Sequence, residues 1–535
     1  MHPAKYLRAD LEKFRLRHFV KQLVELGDVE IHDEAVPLTK LSQIIEATPK
    51  AVLFRNAGPE RFEMIAKPLG GRARLAAAFG TTPEKVHAMY QARKASPQST
   101  FEVPSKDAPV HEVVLTGDEI DLTRMPFHPQ HEFDGSAYIS SAIDYSIDPQ
   151  TGRTNVGCRR LSLRNRTECG TNITSPSDLK RIYQSCVRRK ERLPITFTVG
   201  SHPLDFMAAT ERAPGDELSL VGAFRGEPAP VVKSLTNDIF VPADAEMVFE
   251  GYLDEGGYRE PEGPYGEYMG YYGAIHMDPI FHCTAITMRR DVMHQTLLHG
   301  SAFTLDHSDA GVISSLRLEV EAMRILGQTV RHPVAACLRE VSGGYNNLRV
   351  SIRQSVPGEA RRAIAALIGG IARLKHVFVF DQDIDIFDDR QVEWALGTRF
   401  QADEDLMVFS GIPGMSMDPS LKGRRIGAKA GFDCTAPVGK AAEIPFTRCA
   451  AKVFGSAVAR FQTVDQALEA GPRFFTELIE SLGSEDGRDV VLMLDELRIA
   501  GRLGRDRDGR YHLVSAEPGV TCIVGDLYHD PNEGL

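Results

Sequence analysis

Between His111 and about residue 300 the chain is written in short segments whose apolar and polar residues alternate: SAYISSAIDYSID, LPITFTVG, IFHCTAITM and VMHQTLLHG. A period of two sends successive side chains to opposite faces of a strand. Segments this short, separated by turns, predict a mainly antiparallel sheet able to close into a barrel. The mouth of such a barrel is a place where small molecules bind.

The remaining segments do not share this period. A chain of 535 residues is too long for one ordinary core, so further domains are expected on either side. Residues 1–110 mix helical spacing with short apolar runs such as AVLFRNA and predict a small α/β domain. DAGVISSLRLEVEAMRILG, residues 309–327, reads as a connecting helix inside a linker of 309–330. Residues 331–500 then alternate strand and helix patterns, among them HVFVFDQDIDIF and DDRQVEWALGTRF, which predicts an α/β layer. A tail, 501–535, includes RDRDGRYHLV, which reads as a hairpin.

The net charge of −11 argues against a nucleic-acid coat and against an anionic membrane surface as partner. No apolar run approaches the ~18 residues of a membrane helix. The eight cysteines are scattered without CxxC spacing, as in reduced cytoplasmic thiols, so a cytoplasmic protein is expected. No GxGxxG follows a strand and no GxxxxGK[ST] is present, so neither a dinucleotide fingerprint nor a phosphate loop of those types is signalled.

Three stretches carry residues suited to chemistry. EGPYGE, residues 262–267, brackets a glycine–proline turn with two glutamates that repel each other unless a cavity or a cation employs them. TNVGCRR, residues 154–160, offers Asn155, whose amide oxygen suits a hard cation, and Arg160, a permanent cation with a planar fork. Asn155, Asp178 and Glu217 together form an all-oxygen set of the type that holds Mg²⁺ or Mn²⁺. KGRRIGAKAGFDCT, residues 422–435, is a basic glycine-rich loop of the kind that meets phosphate. HPQH, residues 128–131, has metal-like spacing, but its proline and the following EFDG read as a structural turn.

In this order the motifs resemble the UbiD family of decarboxylases, which use prenylated FMN. EGPYGEYMGYYG is similar to the family's E-G-P-[FY]-G-E stretch, TNVGCRR to its N-x-x-x-x-R loop, and DGSAYISSAIDYSIDPQTGRTN to the strands before it. SLTNDIFVPADAEMVFEGYL and IGAKAGFDCT complete the match, which runs from about residue 10 to about 440. The resemblance implies a multidomain α+β and α/β chain: an N-terminal α/β domain, a central antiparallel split β-barrel over 111–308 that binds the flavin, and a C-terminal α/β oligomerisation domain.

It also implies roles. Arg160, Glu262 and Glu267 fall on the catalytic positions, with Glu267 expected as proton donor and Glu262 as the ionised partner of Arg160. Asn155 and Glu217 fall on metal-ligand positions. Asp178 stands where a histidine is common, a departure that favours harder ions. Cys158, Arg159, Arg160, Thr174 and Ser177 match positions lining the cofactor, and Lys429 the lysine at its phosphate. The implied cofactors are prenylated FMN, a divalent metal (Mn, Mg or Fe) and potassium. The implied partners are a carboxylic acid substrate, a flavin prenyltransferase of the UbiX type as supplier, and further copies of the chain in a dimer or hexamer.

Loss of CO₂ from an sp² carbon leaves a carbanion that side chains alone do not stabilise, so an electron sink is required. The expected activity is reversible, non-oxidative decarboxylation of an aromatic, heteroaromatic or α,β-unsaturated acid. Arg164, Arg166 and the run 188–190 keep open an aroyl-CoA thioester of the phthaloyl-CoA type as substrate. A non-catalytic flavin-binding assembly subunit and a metal hydrolase are the other readings. Intact Arg160, Glu262 and Glu267 argue against the first, and a flavin's colour would exclude the second.

Overall fold

Six strands close the barrel that the alternation predicts. In order around the ring they are Tyr138–Ile147, Thr154–Leu163, Glu168–Thr171, Ile280–Met288, Met247–Leu253 and Leu193–Val199, each antiparallel to its neighbours. Val113–Thr116 pairs with the outer part of Ile280–Met288. The computed structural model describes residues 10–213, 215–301, 304–342, 346–415, 417–438, 447–455 and 459–514. Among these, no helix is long and apolar enough to cross a membrane.

The strand Tyr138–Ile147 is covered on both faces despite its alternating pattern. Its polar residues are consumed by a neighbour. Ser141 donates to the carbonyl of Gln295 at 2.6 Å, and Ser140 to that of Leu297. This anchors Met293–Thr296 against the barrel, where its other edge is free to pair.

VMHQTLLHG, expected as part of the barrel, therefore serves a different sheet. Met293–Thr296 runs parallel to Phe62–Ala66 and completes a four-stranded sheet with Val29–Val36 and Ala51–Ala57. One hydrophobic core joins this region to the barrel, including Leu16, Phe19, Leu53, Ile65, Tyr145, Val248 and Leu316.

The connecting helix is Asp309–Thr329, its start capped by Ser308 accepting from the Gly311 amide at 3.1 Å. It packs with helix Glu359–Gly370 on a five-stranded sheet of order Pro333–Leu338, Asn347–Ile352, His376–Asp381, Ile426–Cys434, Leu406–Pro413. Helix Asp389–Arg399 is capped by Asp388, whose side chain accepts from the Arg390 amide.

The compact unit ends at Thr435, well short of the expected boundary at 500. From Ala436 a second unit has its own core, with Val464, Leu468, Leu478, Val490, Leu494 and Tyr511 buried. It holds helices Val464–Glu469, Phe475–Leu482 and Arg488–Ile499, followed by the antiparallel hairpin Leu503–Arg505 with Tyr511–Leu513. The strand–helix alternation stops at residue 435 because these helices bury their apolar faces on one another. Of the expected tail, 515–535 lies outside the described residues.

Candidate active site

The EGPYGE turn joins two short hairpin pairings. Glu260–Glu262 pairs with His276–Asp278, and Tyr265–Gly266 with Tyr272–Gly273. Between them Gly263 takes φ +94°, a conformation open to glycine alone at little cost. EFDG braces the turn from outside. The Asp134 carboxylate accepts from the Gly266 amide at 3.1 Å, and the Gly135 amide donates to Pro264 at 2.8 Å. A Cβ on Gly135 would stand 2.2 Å from the Gly263 carbonyl, so the approach demands glycine there too.

This bend turns both glutamates toward Arg160 on the barrel strand Thr154–Leu163. Arg160 Nε and Nη2 donate to Glu262 Oε1 and Oε2 at 2.7 and 2.9 Å, a bidentate pair. Its Nη1 donates to Glu267 Oε1 at 2.8 Å. The guanidinium carbon lies 4.1 Å from the ring centroid of Tyr265, which gives the tyrosine of the motif its place beneath the cation. Tyr265 is itself fixed by its hydroxyl donating to Gln130 at 2.7 Å.

A cavity of about 210 Å³ opens beside this unit, lined by Cys158, Arg159, Arg160, Asn172, Tyr265 and His299 with part of the connecting helix. His299 Nδ1 is buried without a hydrogen-bond partner, and Arg159 Nε has only its ion pair with Asp144 Oδ1 at 3.2 Å. Orphaned polar atoms on a cavity wall are the features a polar heterocycle satisfies. Burial, with Arg160 and His131 adding to it, pushes His299 down to about 3, so its ring is neutral.

Behind Glu262 stands a second charge relay. His276 Nε2 lies 2.9 Å from Glu262 Oε2 and 3.5 Å from Asp278 Oδ1, while Nδ1 donates to the Ala274 carbonyl at 2.9 Å. The Asn172 amide reaches Nε2 at 2.8 Å. Burial opposes ionisation of Glu262, yet the bonds from His276 and Arg160 outweigh it and hold the carboxyl down at about 2. Asp278 and Glu262 together hold His276 up at about 10. Asp278 is raised by its own burial and by the charge of Glu262.

Asn155, Asp178 and Glu217 line a different cavity, of about 170 Å³, with Asp148, Arg153 and Arg181. Asn155 and Arg160 share one strand, so the two cavities are about 17 Å apart along the backbone at ~3.4 Å per residue. Glu217 Oε2 accepts from the Val156 amide at 2.9 Å, yet burial, reinforced by the charges of Asp178 and Asp144, raises the Glu217 carboxyl. Cations stand back: Arg181 and Arg212 approach Asp178 only to 3.7 and 3.6 Å. Arg181 is bonded instead to Asp148 at 3.0 Å, and the hard oxygens of Asn155, Asp178 and Glu217 are donors of the type a divalent ion takes.

Three expectations land elsewhere. Ser177 caps helix Asp178–Arg189 by accepting from the Lys180 amide at 3.2 Å, and the Thr174 carbonyl accepts from Lys180 Nζ at 2.6 Å; neither lines a cavity described above. Lys429 lies on the five-stranded sheet and donates to the Ala372 carbonyl at 2.7 Å, so its ammonium is committed within that layer. Of the basic residues weighed for a CoA thioester, Arg164 pairs with Glu260 at 2.8 Å, Arg166 with Asp121 at 3.2 Å and Arg189 with Glu191 at 2.7 Å. Asn172, His276, Asp278 and His299 are absent from the motif reading. The only advance signal is the HMD triplet, which puts a histidine and an acid on one strand face.

Residues 101–302 match the 3-octaprenyl-4-hydroxybenzoate carboxy-lyase Rift-related domain, and residues 311–434 match the C-terminal domain of the same enzymes. The fold and site are thus those of a carboxy-lyase. The chain belongs to the UbiD family. The anhydromevalonate phosphate decarboxylase of Methanosarcina mazei is 30% identical over 424 residues, covering 78% of this chain and 95% of that protein. The UbiD-class enzyme HmfF of Pelotomaculum thermopropionicum, solved with FMN, is 30% identical with a TM-score of 0.75, covering 82% of this chain and 97% of that one. An evolved dimeric form of HmfF, solved with prFMN, is 28% identical with a TM-score of 0.73, over 82% of this chain and 97% of that one. The vanillic acid decarboxylase of Sedimentibacter hydroxybenzoicus is 25% identical with a TM-score of 0.74, over 83% and 96% of the two chains.

Proposed function

We propose that the protein is a prenylated-FMN-dependent decarboxylase of an aromatic, heteroaromatic or α,β-unsaturated carboxylic acid. The observation that carries this reading is one arginine shared by two glutamates at the wall of a cavity. Cys158, Arg159 and Arg160 would hold the flavin there, and Asn155, Asp178 and Glu217 a Mn²⁺, Mg²⁺ or Fe²⁺ beside its phosphate, with potassium as a further counter-ion. When bound, the modified flavin supplies the electron sink that decarboxylation at an sp² carbon requires.

The chain's own residues supply the rest. Arg160 orients the substrate carboxylate and screens it from the two glutamates. Glu262, bound through both oxygens, keeps the guanidinium planar and aimed. As the bond to the carboxyl carbon breaks and CO₂ leaves, Glu267 gives its proton to the vacated carbon, forming the C–H bond. Water then reprotonates Glu267. Run backward, the same groups serve carboxylation.

Relatives that act on anhydromevalonate phosphate and on vanillic acid support keeping both non-aromatic and aromatic acids in the substrate class. The prenyltransferase partner follows from the cofactor, and dimeric HmfF supports assembly into a homo-oligomer. The test is expression beside a flavin prenyltransferase, an absorption spectrum, and a carboxylic acid panel scored for CO₂. A flavin spectrum with CO₂ release from at least one unsaturated acid is expected. A colourless protein after co-expression, or a loaded one that releases CO₂ from no acid, overturns the reading.

A further inference from the structure

The two glutamates of the EGPYGE turn have the same side chain and share one cation, yet the proposed chemistry asks different things of them. Arg160 carries one positive charge and cannot balance two carboxylates. Its own bonds are unequal: two nitrogens go to Glu262 and one to Glu267. The remaining difference lies behind Glu262, where His276 is paired with it by strand register and lies 2.9 Å from Oε2.

We propose that His276 is a positioning residue that divides the labour of the two glutamates, clamping Glu262 as the permanent anion and leaving Glu267 as the carboxyl that exchanges its proton. This rests on the decarboxylase reading for the role of Glu267, but the clamp itself is a property of the protein alone.

The ring geometry supports it. Nδ1 faces the Ala274 carbonyl at 2.9 Å and must be protonated to bond there. Nε2 faces the Glu262 carboxylate, and an unprotonated Nε2 would set lone pair against lone pair. Both nitrogens therefore donate, and His276 is an imidazolium. Asn172 Nδ2 lies 2.8 Å from Nε2, and an imidazolium there requires the amide turned over so that its oxygen faces the ring. Asp278, buried and 3.5 Å from Nε2, stabilises the charge from its own strand. The groups facing this imidazolium are Glu262, Asp278 and Asn172, with Arg160, Glu267 and Tyr138 beyond Glu262. Both oxygens of Glu262 already accept from Arg160, so the Glu262–His276–Asp278 group is filled by the protein's own cations.

The clamp is tested first without cofactor. Full-length protein carrying ¹³C-labelled histidine is titrated by NMR, with the His276 signal assigned by its loss in His276→Gln. A midpoint above 8 that falls by at least one pH unit in Glu262→Gln, and falls also in Asp278→Asn, is expected. A midpoint near 6.5, or one indifferent to Glu262→Gln, overturns the clamp. Loaded His276→Gln then separates positioning from mere packing. Without the imidazolium Glu262 titrates higher, so the acid limb of the kcat/KM profile moves up by a pH unit or more and kcat drops about 10-fold or more. A loss of rate with both limbs unmoved overturns the proposal. If no acid is turned over by the wild type, the decarboxylase reading fails, and the NMR titration still decides the clamp.

Discussion

The two cavities along the strand Thr154–Leu163 solve opposite electrostatic problems. Around Arg160 every buried carboxylate meets a cation: Glu262 is bonded by a guanidinium and an imidazolium, and its carboxyl is held at about 2. Around Asn155 the cations go to other acids, Arg181 to Asp148 at 3.0 Å and Arg159 to Asp144 at 3.2 Å, and Glu217 is raised by burial and by the charges of Asp178 and Asp144. The first site is complete as folded. Under the proposed function, the second would take its cation from outside.

The largest effect that would break this contrast is at Arg160. Arg160→Ala leaves Glu262 buried beside a single cation and should cost about 3–5 kcal/mol in chemical denaturation. It should also remove roughly 10³-fold or more of the decarboxylation rate. Arg160→Lys keeps a charge but not the fork, and should recover stability more than rate. Wild-type turnover by either variant would separate the chemistry from this cation.

Paired glutamine substitutions sharpen the contrast. Glu262→Gln should destabilise the cofactor-free protein by about 1–3 kcal/mol, because it removes an acceptor of charged bonds in a buried site. Glu217→Gln relieves like-charge crowding, so the cofactor-free protein should keep or gain stability while the loaded one loses metal by elemental analysis. The pH dependences run in opposite directions. A carboxyl depressed to about 2 gives stability above its ordinary range near 4.5, lost as pH falls toward 2. A raised carboxyl does the reverse, since the folded state binds the extra proton; stability at Glu217 is lost as pH rises through its elevated value. Urea midpoints across pH for the two variants and the wild type check both signs.

The smallest effect is expected at Lys429. Its ammonium donates to Ala372, so Lys429→Ala should cost on the order of 1 kcal/mol and change flavin content by less than about twofold. Loss of bound flavin would return this lysine to the phosphate.

The barrel was legible because period-two alternation is local, and Tyr138–Ile147, Leu193–Val199 and Ile280–Met288 announce themselves within ten residues; TNVGCRR, which reads as a loop, instead opens the strand Thr154–Leu163. The turn at 262–267 was legible for the same reason: glycine, proline and two acids in six residues leave few conformations. Partners distant in sequence were not. Met293–Thr296 reads as another barrel strand until its parallel neighbour Phe62–Ala66 is known, more than 200 residues earlier. His276 acquires its meaning only from register with Glu262, and Asn172 only from the barrel's curvature. The boundary at 435 was hidden because short helices that pack on each other carry the same periodicity as helices that pack on a sheet. Lys429 shows the converse: a basic, glycine-rich stretch resembles a phosphate loop, but in a strand its amides are spent on neighbours.

The account stands on one division of roles at the shared arginine, and loaded Glu267→Gln measures it most directly. Its flavin spectrum, metal content and denaturation midpoint should match the wild type while CO₂ release falls by about 10²–10⁴-fold, the range a lost general acid commands. A Glu267→Gln enzyme that decarboxylates within a few-fold of the wild type would contradict it.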